Sequence, residues 1–312
     1  MHEFELIRQV FREADYARPG GAVVRSIGDD CALLETAASE QLAVSTDSLL
    51  EGVHFPPGAD GFLLGQRALA VAVSDLAAMG ARPLAFTLAL SLPQADVDWL
   101  RELSRGLQTM ARQAEISLVG GDTTKGPLNL GITVMGTVPA GQALLRSGAR
   151  PGQQLWVSGP LGGAAAALQV LQAGSSSYPG LLAAYWTPKP QLELGQWLRG
   201  KGGAALDISD GLLADAGHMA AESGVQLVIE QERVPVHPEA RALTAHQALE
   251  WALCGGDDYQ LVFSLPGQHA AALQKHFSQA RCIGRVCVGQ GVLLVDGQGQ
   301  PVDLAHKGYQ HF

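Results

Sequence analysis

The residues best suited to chemistry in this sequence are aspartates that lie where glycine, serine or threonine meets apolar residues. They are Asp30 in GDDC, Asp47 in STDS, Asp75 in SDLAAMG, Asp122 in GGDTT, Asp207 and Asp210 in DISDG, and Asp257 and Asp258 in GGDDY. Any one of them alone is typical of a helix cap or a turn. If several converge, each pair of carboxylates about 4 Å apart repels by roughly 4 kcal/mol at an effective dielectric near 20, and divalent cations remove that repulsion. The pattern therefore raises the hypothesis of a metal-bound cluster.

Asp75 is the aspartate that a capping role explains least. It falls inside a predicted helix, and its neighbours Ala72, Val73, Leu76 and Met79 are apolar. No lysine or arginine lies three or four residues away to pair with it along the helix. Because burying an unpaired carboxylate costs several kcal/mol, Asp75 needs a partner from elsewhere in the fold.

The donor types favour magnesium over zinc. Ser45 and Thr46 precede Asp47 at the end of an alternating strand and add hard oxygen ligands. The four cysteines form no CxxC pair and no zinc-like spacing with histidine, so we interpret them as reduced structural thiols. A calcium-binding structural protein is the alternative that is not an enzyme, but DISDGLLADAGH lacks the EF-hand spacing and its final glutamate.

Two Gly-Gly-Asp segments, VGGDTTKG and CGGDD, indicate a phosphate ligand. Glycine lets backbone come close to a ligand, and its amide can donate to phosphate oxygens, although a single such pair is more often only a turn. The common nucleotide motifs are missing. GQWLRGKG resembles a P-loop but has Gly202 where serine or threonine must stand, and neither GxGxxG nor the kinase catalytic-loop motif occurs.

The elements that would position these residues alternate between strand and helix. From Leu42 the pattern predicts strand, helix, strand, helix and two further strands, and Asp96 is the predicted N-cap of the second helix. Proline, glycine and small residues in 139–153 then interrupt the pattern. A second series of strands and helices follows. We therefore predict an α+β protein with an N-terminal domain at 1–140 and a C-terminal α/β domain at 150–312.

Composition excludes several other classes. The 312 residues are 47% hydrophobic and 16% charged, and the net charge of −9 argues against nucleic acid as a partner. The longest apolar stretch is interrupted by Asp75, so we expect no membrane span. The first 16 residues have an amphipathic helix pattern without the features of a signal peptide, which makes a cytoplasmic location the default expectation.

Eight motifs, taken in order, resemble those of the thiamine-monophosphate kinase family. They are SIGDDCALL, STDSLLEGVHF, SDLAAMGARP, VGGDTTKGPL, LLRSGARPG, ALDISDGLLAD, CGGDDYQL and the terminal KGYQHF. The family belongs to a superfamily with aminoimidazole ribonucleotide synthetase and selenophosphate synthetase. The resemblance spans almost the whole chain. STDSLLEGVHF and GYQHF favour this family over its relatives.

The resemblance implies a fold and a reaction. The N-terminal domain would bind ATP and metal, and its mixed or antiparallel sheet would pair across a homodimer. The C-terminal domain would be an α/β sandwich of the aminoimidazole ribonucleotide synthetase type that completes the active site. The reaction would be transfer of the γ-phosphoryl group of ATP to thiamine monophosphate, assisted by several Mg²⁺ ions. Because the acceptor is already an anionic phosphate oxygen, positioning and charge neutralisation suffice without a general base.

The resemblance also implies a role for individual residues. The magnesium ligands would be Asp30, Ser45, Thr46, Asp47, Asp75, Asp122, Asp207 and Asp210. The ATP-binding residues would be Gly121, Asp122, Arg146 and Ser209. Asp210, Arg146 and Asp122 would be catalytic. The residues that bind thiamine monophosphate would be His54, Asp257 and Tyr309.

One position departs from the family pattern. Asp257 stands where the family usually has glutamate, which is one methylene longer. Either water mediates the substrate contact or Asp257 and Asp258 share the role. The alternative assignment of the whole chain is another ATP-dependent member of the superfamily, with the same metal motifs and a different acceptor.

Overall fold

The computed structural model describes residues 9, 11, 13–18, 20–25, 33–303 and 308. Asp30, Cys31, Tyr309 and most of the predicted N-terminal helix lie outside the described residues. The chain forms two compact units. Unit 1 contains Met1–Leu76 and Ala81–Gly141, and unit 2 contains Ala77–Gly80 and Gln142–Phe312.

Unit 1 is built on a four-stranded mixed sheet with the strand order β3-β6-β4-β5. The strands are β3 (Glu40–Leu50), β4 (Arg82–Leu92), β5 (Ser117–Lys125) and β6 (Asn129–Pro139). β6 pairs antiparallel with both β3 and β4, whereas β4 and β5 are parallel. The short strands β1 (Val23–Arg25) and β2 (Leu33–Leu34) form a separate antiparallel pair. Unit 1 therefore has the mixed sheet that the sequence predicted.

Two helices of unit 1 connect these strands, α1 (Gly61–Ala78) and α2 (Val97–Ala114). Asp96 is the N-cap of α2, since one of its carboxylate oxygens accepts from the backbone N–H groups of Asp98 and Trp99. That prediction is confirmed. In the described part of the chain, α1 is the one helix long and apolar enough to cross a membrane, and 83% of that stretch is buried inside the protein. This burial is typical of a core helix.

Unit 2 is built on a six-stranded sheet with the strand order β12-β9-β11-β7-β10-β8. The strands are β7 (Gln154–Val157), β8 (Ala205–Asp207), β9 (Gln226–Glu230), β10 (Leu261–Leu265), β11 (Arg281–Cys287) and β12 (Gly291–Val295). All neighbours pair antiparallel except β9 and β12, which are parallel.

Helices cover both faces of this sheet. They are α3 (Gly163–Gln172), α4 (Pro179–Trp186), α5 (Leu192–Leu198), α6 (Leu212–Ser223), α7 (Pro238–Leu243), α8 (Ala248–Cys254) and α9 (Ala270–His276). Leu155 and Val157 on β7 contribute to the core that includes α6 and α8, while Trp156 between them faces a second core with residues of α5 and α9. This alternation follows from the two-residue period of a strand. The result is the α/β sandwich that the sequence predicted.

Candidate functional site

The candidate residues within the described part of the chain are divided between the two units. Unit 1 contains Ser45, Thr46, Asp47, His54, Asp75, Gly121 and Asp122. Unit 2 contains Arg146, Asp207, Ser209, Asp210, Asp257 and Asp258.

The partner that Asp75 lacks along its own helix comes from strand β3. The hydroxyl group of Ser45 donates a short hydrogen bond to a carboxylate oxygen of Asp75, and both side chains are part-buried. Asp47 lies two residues further along β3, so its side chain leaves the same face of the strand as Ser45. The fold thus brings two predicted ligands into contact and places a third beside them. Their hydroxyl and carboxylate oxygens are the donors that Mg²⁺ prefers.

The strand register keeps Asp122 away from Asp47. Asp47 on β3 pairs with Ile132 on β6, and Ile132 in turn pairs with Leu88 on β4. Asp122 on β5 pairs with Ala89, the next residue of β4. Since β3 and β5 are the two edges of the sheet, three spacings of about 4.8 Å, or about 14 Å, separate their backbones. Ala89 and Leu88 face opposite sides of the sheet. The sheet therefore does not place the two carboxylates side by side within one chain.

Gly121 is a position in GGD where only glycine fits. Its φ angle is +156°, and a Cβ atom built on it would lie 2.0 Å from the carbonyl oxygen of Leu88. At Gly120 the nearest atom to such a Cβ would be 3.9 Å away. Asp122, the next residue, is exposed on the edge strand β5 and is therefore accessible to a ligand.

His54 is fixed by its own turn. Its Nδ1 atom accepts from the backbone N–H of Leu50 at 3.0 Å, and its carbonyl oxygen accepts from the buried Arg67. A neutral ring in this position carries its proton on Nε2. The imidazole is part-exposed and held in one orientation, which is compatible with the predicted substrate contact.

In unit 2, Ser209 and Asp210 lie in a loop between β8 and α6 that a buried carboxylate organises. The backbone N–H groups of both residues donate to Oδ2 of Asp215, at 3.0 and 3.1 Å. Asp207, the last residue of β8, is buried, and Asp210 is part-exposed. Asp215 thus fixes the backbone of the loop, while the side chain of Asp210 is partly accessible to solvent.

Asp210, Asp215 and His218 form a group whose ligand atoms all lie within 4.8 Å of one another. Burial raises the pKa of Asp215 from 3.8 to about 7, and the charge of Asp210 raises it further, while the N–H groups of the loop oppose the rise. Asp215 already accepts two hydrogen bonds. The carboxylate of Asp210 is the member of this group that suits magnesium best, and the exposed imidazole of His218 suits it less.

Arg146 begins a 3₁₀ turn that precedes β7. Its carbonyl oxygen accepts from the hydroxyl group of Ser223, which ties the turn to the end of α6. The side chain is exposed, and its guanidinium group has no hydrogen bond or ion pair with any residue in the described part of the chain. It is therefore available for a phosphate group.

The two aspartates of GGDDY have different environments. Asp258 is only 7% exposed, and its Oδ2 accepts from the backbone N–H of Gly162, just before α3, at 2.7 Å. Asp257 is part-exposed, and its Oδ1 accepts from the hydroxyl group of Tyr259 at 2.9 Å. Of the two carboxylates, Asp257 is therefore the one that a substrate can reach.

The sequence of this chain is similar to those of known proteins over almost its full length. Residues 28–138 match the family model described as AIR synthase related protein, N-terminal domain. The thiamine-monophosphate kinase of Escherichia coli (strain K12) is 40% identical, over 99% of this chain and 98% of that protein. This chain belongs to the thiamine-monophosphate kinase family. Membership in this family confirms the resemblance drawn from the eight motifs.

Solved structures agree with membership in the thiamine-monophosphate kinase family. The crystal structure of thiamine-monophosphate kinase from Stenotrophomonas maltophilia K279a has a TM-score of 0.85 and 42% identity, and the match covers 96% of each chain. The structure of AaThiL complexed with AMPPCP and TMP has a TM-score of 0.81 and 32% identity, and the match covers 92% of each chain. These matches confirm the predicted fold, while the roles of individual residues stay predictions.

Sequence reasoning missed two residues of the thiamine-monophosphate kinase motifs. Asp215 follows Asp210 by five residues and lies in the first turn of α6 among apolar residues. That placement is the signal that singled out Asp75, and it could have identified Asp215 as well. Tyr259 was quoted within GGDDY without a role, because its contact with Asp257 depends on backbone angles that the sequence does not reveal.

Proposed function

We propose that this chain transfers the γ-phosphoryl group of ATP to the phosphate of thiamine monophosphate, giving thiamine diphosphate and ADP. The observation that carries the proposal is the identity of 40% with a thiamine-monophosphate kinase over almost the full length of both chains. AaThiL, whose complex contains AMPPCP and TMP, has the same fold over 92% of each chain. AMPPCP is an analogue of ATP, so a nucleotide and an acceptor bind together in that relative.

The reaction needs no general base from this chain. The attacking atom is a phosphate oxygen that already carries negative charge, so the protein contributes positioning and charge neutralisation. The exposed guanidinium group of Arg146 can donate two parallel hydrogen bonds to the transferred phosphoryl group. The backbone of Gly121 and Ser209 and the carboxylate of Asp122 would hold the nucleotide.

We propose Mg²⁺ as the cofactor. The oxygen donors fit a hard cation, and several ions would be bound. Ser45, Thr46, Asp47 and Asp75 would be ligands at β3 and α1, Asp122 on β5, and Asp207 and Asp210 in unit 2, with Asp30 outside the described residues. When bound, magnesium neutralises charge on the phosphate oxygens. The contact of Ser45 with Asp75 orients one carboxylate in advance, which lowers the cost of assembling the site.

Asp257 and His54 are proposed to contact thiamine monophosphate, together with Tyr309 outside the described residues. Thiamine carries a cationic thiazolium ring, and a carboxylate is its natural electrostatic partner. The aromatic ring of Tyr309 could stack on the same cation. Asp257 fits this role because it is part-exposed, whereas Asp258 is buried.

We also propose that the protein is a homodimer paired through the sheets of unit 1 and that it is located in the cytoplasm. The edge strand β3 exposes Leu42 by 49% and Val44 by 58%, on the same face. Large apolar side chains next to each other on an edge strand favour an interface over contact with water. A second copy would cover them.

The test is an assay of acceptors with purified protein, ATP and magnesium. Thiamine monophosphate, thiamine and an aminoimidazole ribonucleotide precursor are offered separately, and the products are separated by chromatography. We expect product only from thiamine monophosphate. Product only from the ribonucleotide precursor would favour the second candidate, a superfamily member with a different acceptor.

A variant tests the role of Asp122 in the same assay. Asp122→Asn removes a negative charge from the nucleotide and metal ligands, and we expect kcat/KM to fall by on the order of 100-fold with the fold retained. Asp98→Asn is the matched control, because Asp98 is also an exposed aspartate of unit 1 but pairs with Arg101 on α2. Equal activity of the two variants would contradict the assignment.

A further inference from the structure

The GGDDY segment joins α8 to β10 through a strained turn. Asp257 has a φ angle of +69° and Tyr259 a φ angle of +48°, both in the left-handed region that non-glycine residues seldom adopt. Each such residue adds unfavourable backbone energy, which persists only where surrounding contacts fix the conformation. The turn is therefore held in this shape by its neighbours.

Hydrogen bonds fix the backbone of the turn against the segment that follows β8 and leads to Asp210. The N–H groups of Asp257 and Tyr259 donate to the carbonyl oxygens of Ser209 and Ile208, at 2.8 and 2.9 Å. Gly256 makes this approach possible, because a Cβ atom there would lie 2.4 Å from the carbonyl oxygen of Ser209. The position of the turn is thus set independently of the Asp257 side chain.

Asp258 anchors the middle of the turn in the interior. Its buried carboxylate accepts from the N–H of Gly162 at the beginning of α3, where the helix dipole favours negative charge. With Asp258 directed inward, the side chains on either side of it are left to face each other. The hydroxyl group of Tyr259 then lies 2.9 Å from Oδ1 of Asp257.

We propose that Tyr259 is a positioning residue for the acceptor, because its hydroxyl group holds the Asp257 carboxylate in the orientation that receives thiamine monophosphate. The inference rests on the proposed contact of Asp257 with that substrate. Tyr259 itself is only 7% exposed, so it acts through Asp257 and not by touching the substrate. A carboxylate held in advance loses less freedom when the substrate binds. A hydrogen bond to an ionised group is also stronger than one between neutral groups.

The experiment is Tyr259→Phe, which removes one oxygen and retains the packed ring. We expect the KM for thiamine monophosphate to rise about tenfold, while the KM for ATP stays within about twofold. Tyr16→Phe is the matched control. Tyr16 is 5% exposed, and its hydroxyl group is 3.0 Å from Oγ of Ser104 in unit 1. Tyr16→Phe therefore removes a buried tyrosine hydroxyl in the other unit, and we expect it to leave the KM for thiamine monophosphate unchanged.

Asp257→Asn and the double variant Asp257→Asn/Tyr259→Phe complete the test. We expect Asp257→Asn alone to raise the KM for the acceptor, and the added loss of the Tyr259 hydroxyl to change it by less than about twofold, because no charge remains to be oriented. If Asp257→Asn raises that KM and Tyr259→Phe does not, the positioning role is wrong and the contact of Asp257 stands. If Asp257→Asn leaves the KM for thiamine monophosphate unchanged, the proposed contact of Asp257 with that substrate is wrong as well. The proposed function would still stand if the protein makes thiamine diphosphate. Failure of the unaltered protein to make any would overturn the proposed function instead.

Discussion

Asp258 gives the stability of this protein a dependence on pH that one substitution removes. Burial raises the pKa of its carboxyl group from 3.8 to about 7, although the N–H groups at the beginning of α3 oppose the rise. The folded chain therefore keeps a proton that the unfolded chain has already released. This contribution to stability is fully present below about pH 4 and is lost as the pH rises through about 7. Asp258→Asn abolishes the titration and retains an oxygen that can accept from Gly162.

The size of the effect follows from the difference between the two pKa values. A difference of about 3 between the two pKa values corresponds to about 4 kcal/mol of stability over the whole pH range. Of that, about 2.5 kcal/mol falls between pH 5 and pH 8. The free energy of unfolding of the unaltered protein should therefore decrease by about 2.5 kcal/mol more than that of Asp258→Asn across this interval.

The assay is urea unfolding at pH 5 and pH 8, followed by tryptophan fluorescence. It reports mainly on the unit that contains Asp258, because Trp156, Trp186, Trp197 and Trp251 lie in unit 2 and only Trp99 lies in unit 1. Parallel pH dependence of the two proteins would contradict this prediction, since it would mean that Asp258 has the same affinity for protons in the folded and unfolded chains. A steeper dependence in the variant would refute it as well.

Two further predictions concern unit 1. Gly121→Ala should lower the free energy of unfolding by about 2 kcal/mol or more, because its Cβ atom would lie 2.0 Å from a carbonyl oxygen of β4, whereas Gly120→Ala should change it much less. Urea unfolding measures both, and equal effects would contradict the account of the close approach. The double variant Leu42→Lys/Val44→Lys should be a monomer, as measured by light scattering, if the unaltered protein is a dimer. The control Leu168→Lys, which changes an exposed leucine of α3 in unit 2, should leave the dimer intact. An unchanged mass of the double variant would contradict the proposed interface.

The sequence predicted the elements with strong local signals. The helical spacing and the Asp96 cap predicted α2, and the alternation of strand and helix patterns predicted an α+β protein. Contacts between residues distant in sequence could be predicted only in part. The need of Asp75 for a partner was evident from its apolar neighbours, but Ser45 is 30 residues away in sequence and became that partner only through the packing of α1 on the sheet.

The same distinction explains the GGDDY motif. The family resemblance implied that Asp257 contacts the substrate. Because aspartate stands there in place of glutamate, a contact through water or a role shared with Asp258 stayed open. Two left-handed backbone angles and the N–H of Gly162 separate them in the fold. Likewise, the register that puts about 14 Å between the backbones of Asp47 and Asp122 depends on the strand order, which periodicity does not reveal.

The most direct test of the central claim follows the γ-phosphorus of ATP. The unaltered protein is mixed with ATP, magnesium and thiamine monophosphate, and ³¹P NMR records the products. We expect ADP and thiamine diphosphate, the latter with its two coupled resonances, to appear in equal amounts. Release of inorganic phosphate without thiamine diphosphate would contradict the proposed function, because the phosphoryl group would then have gone to water and not to the acceptor.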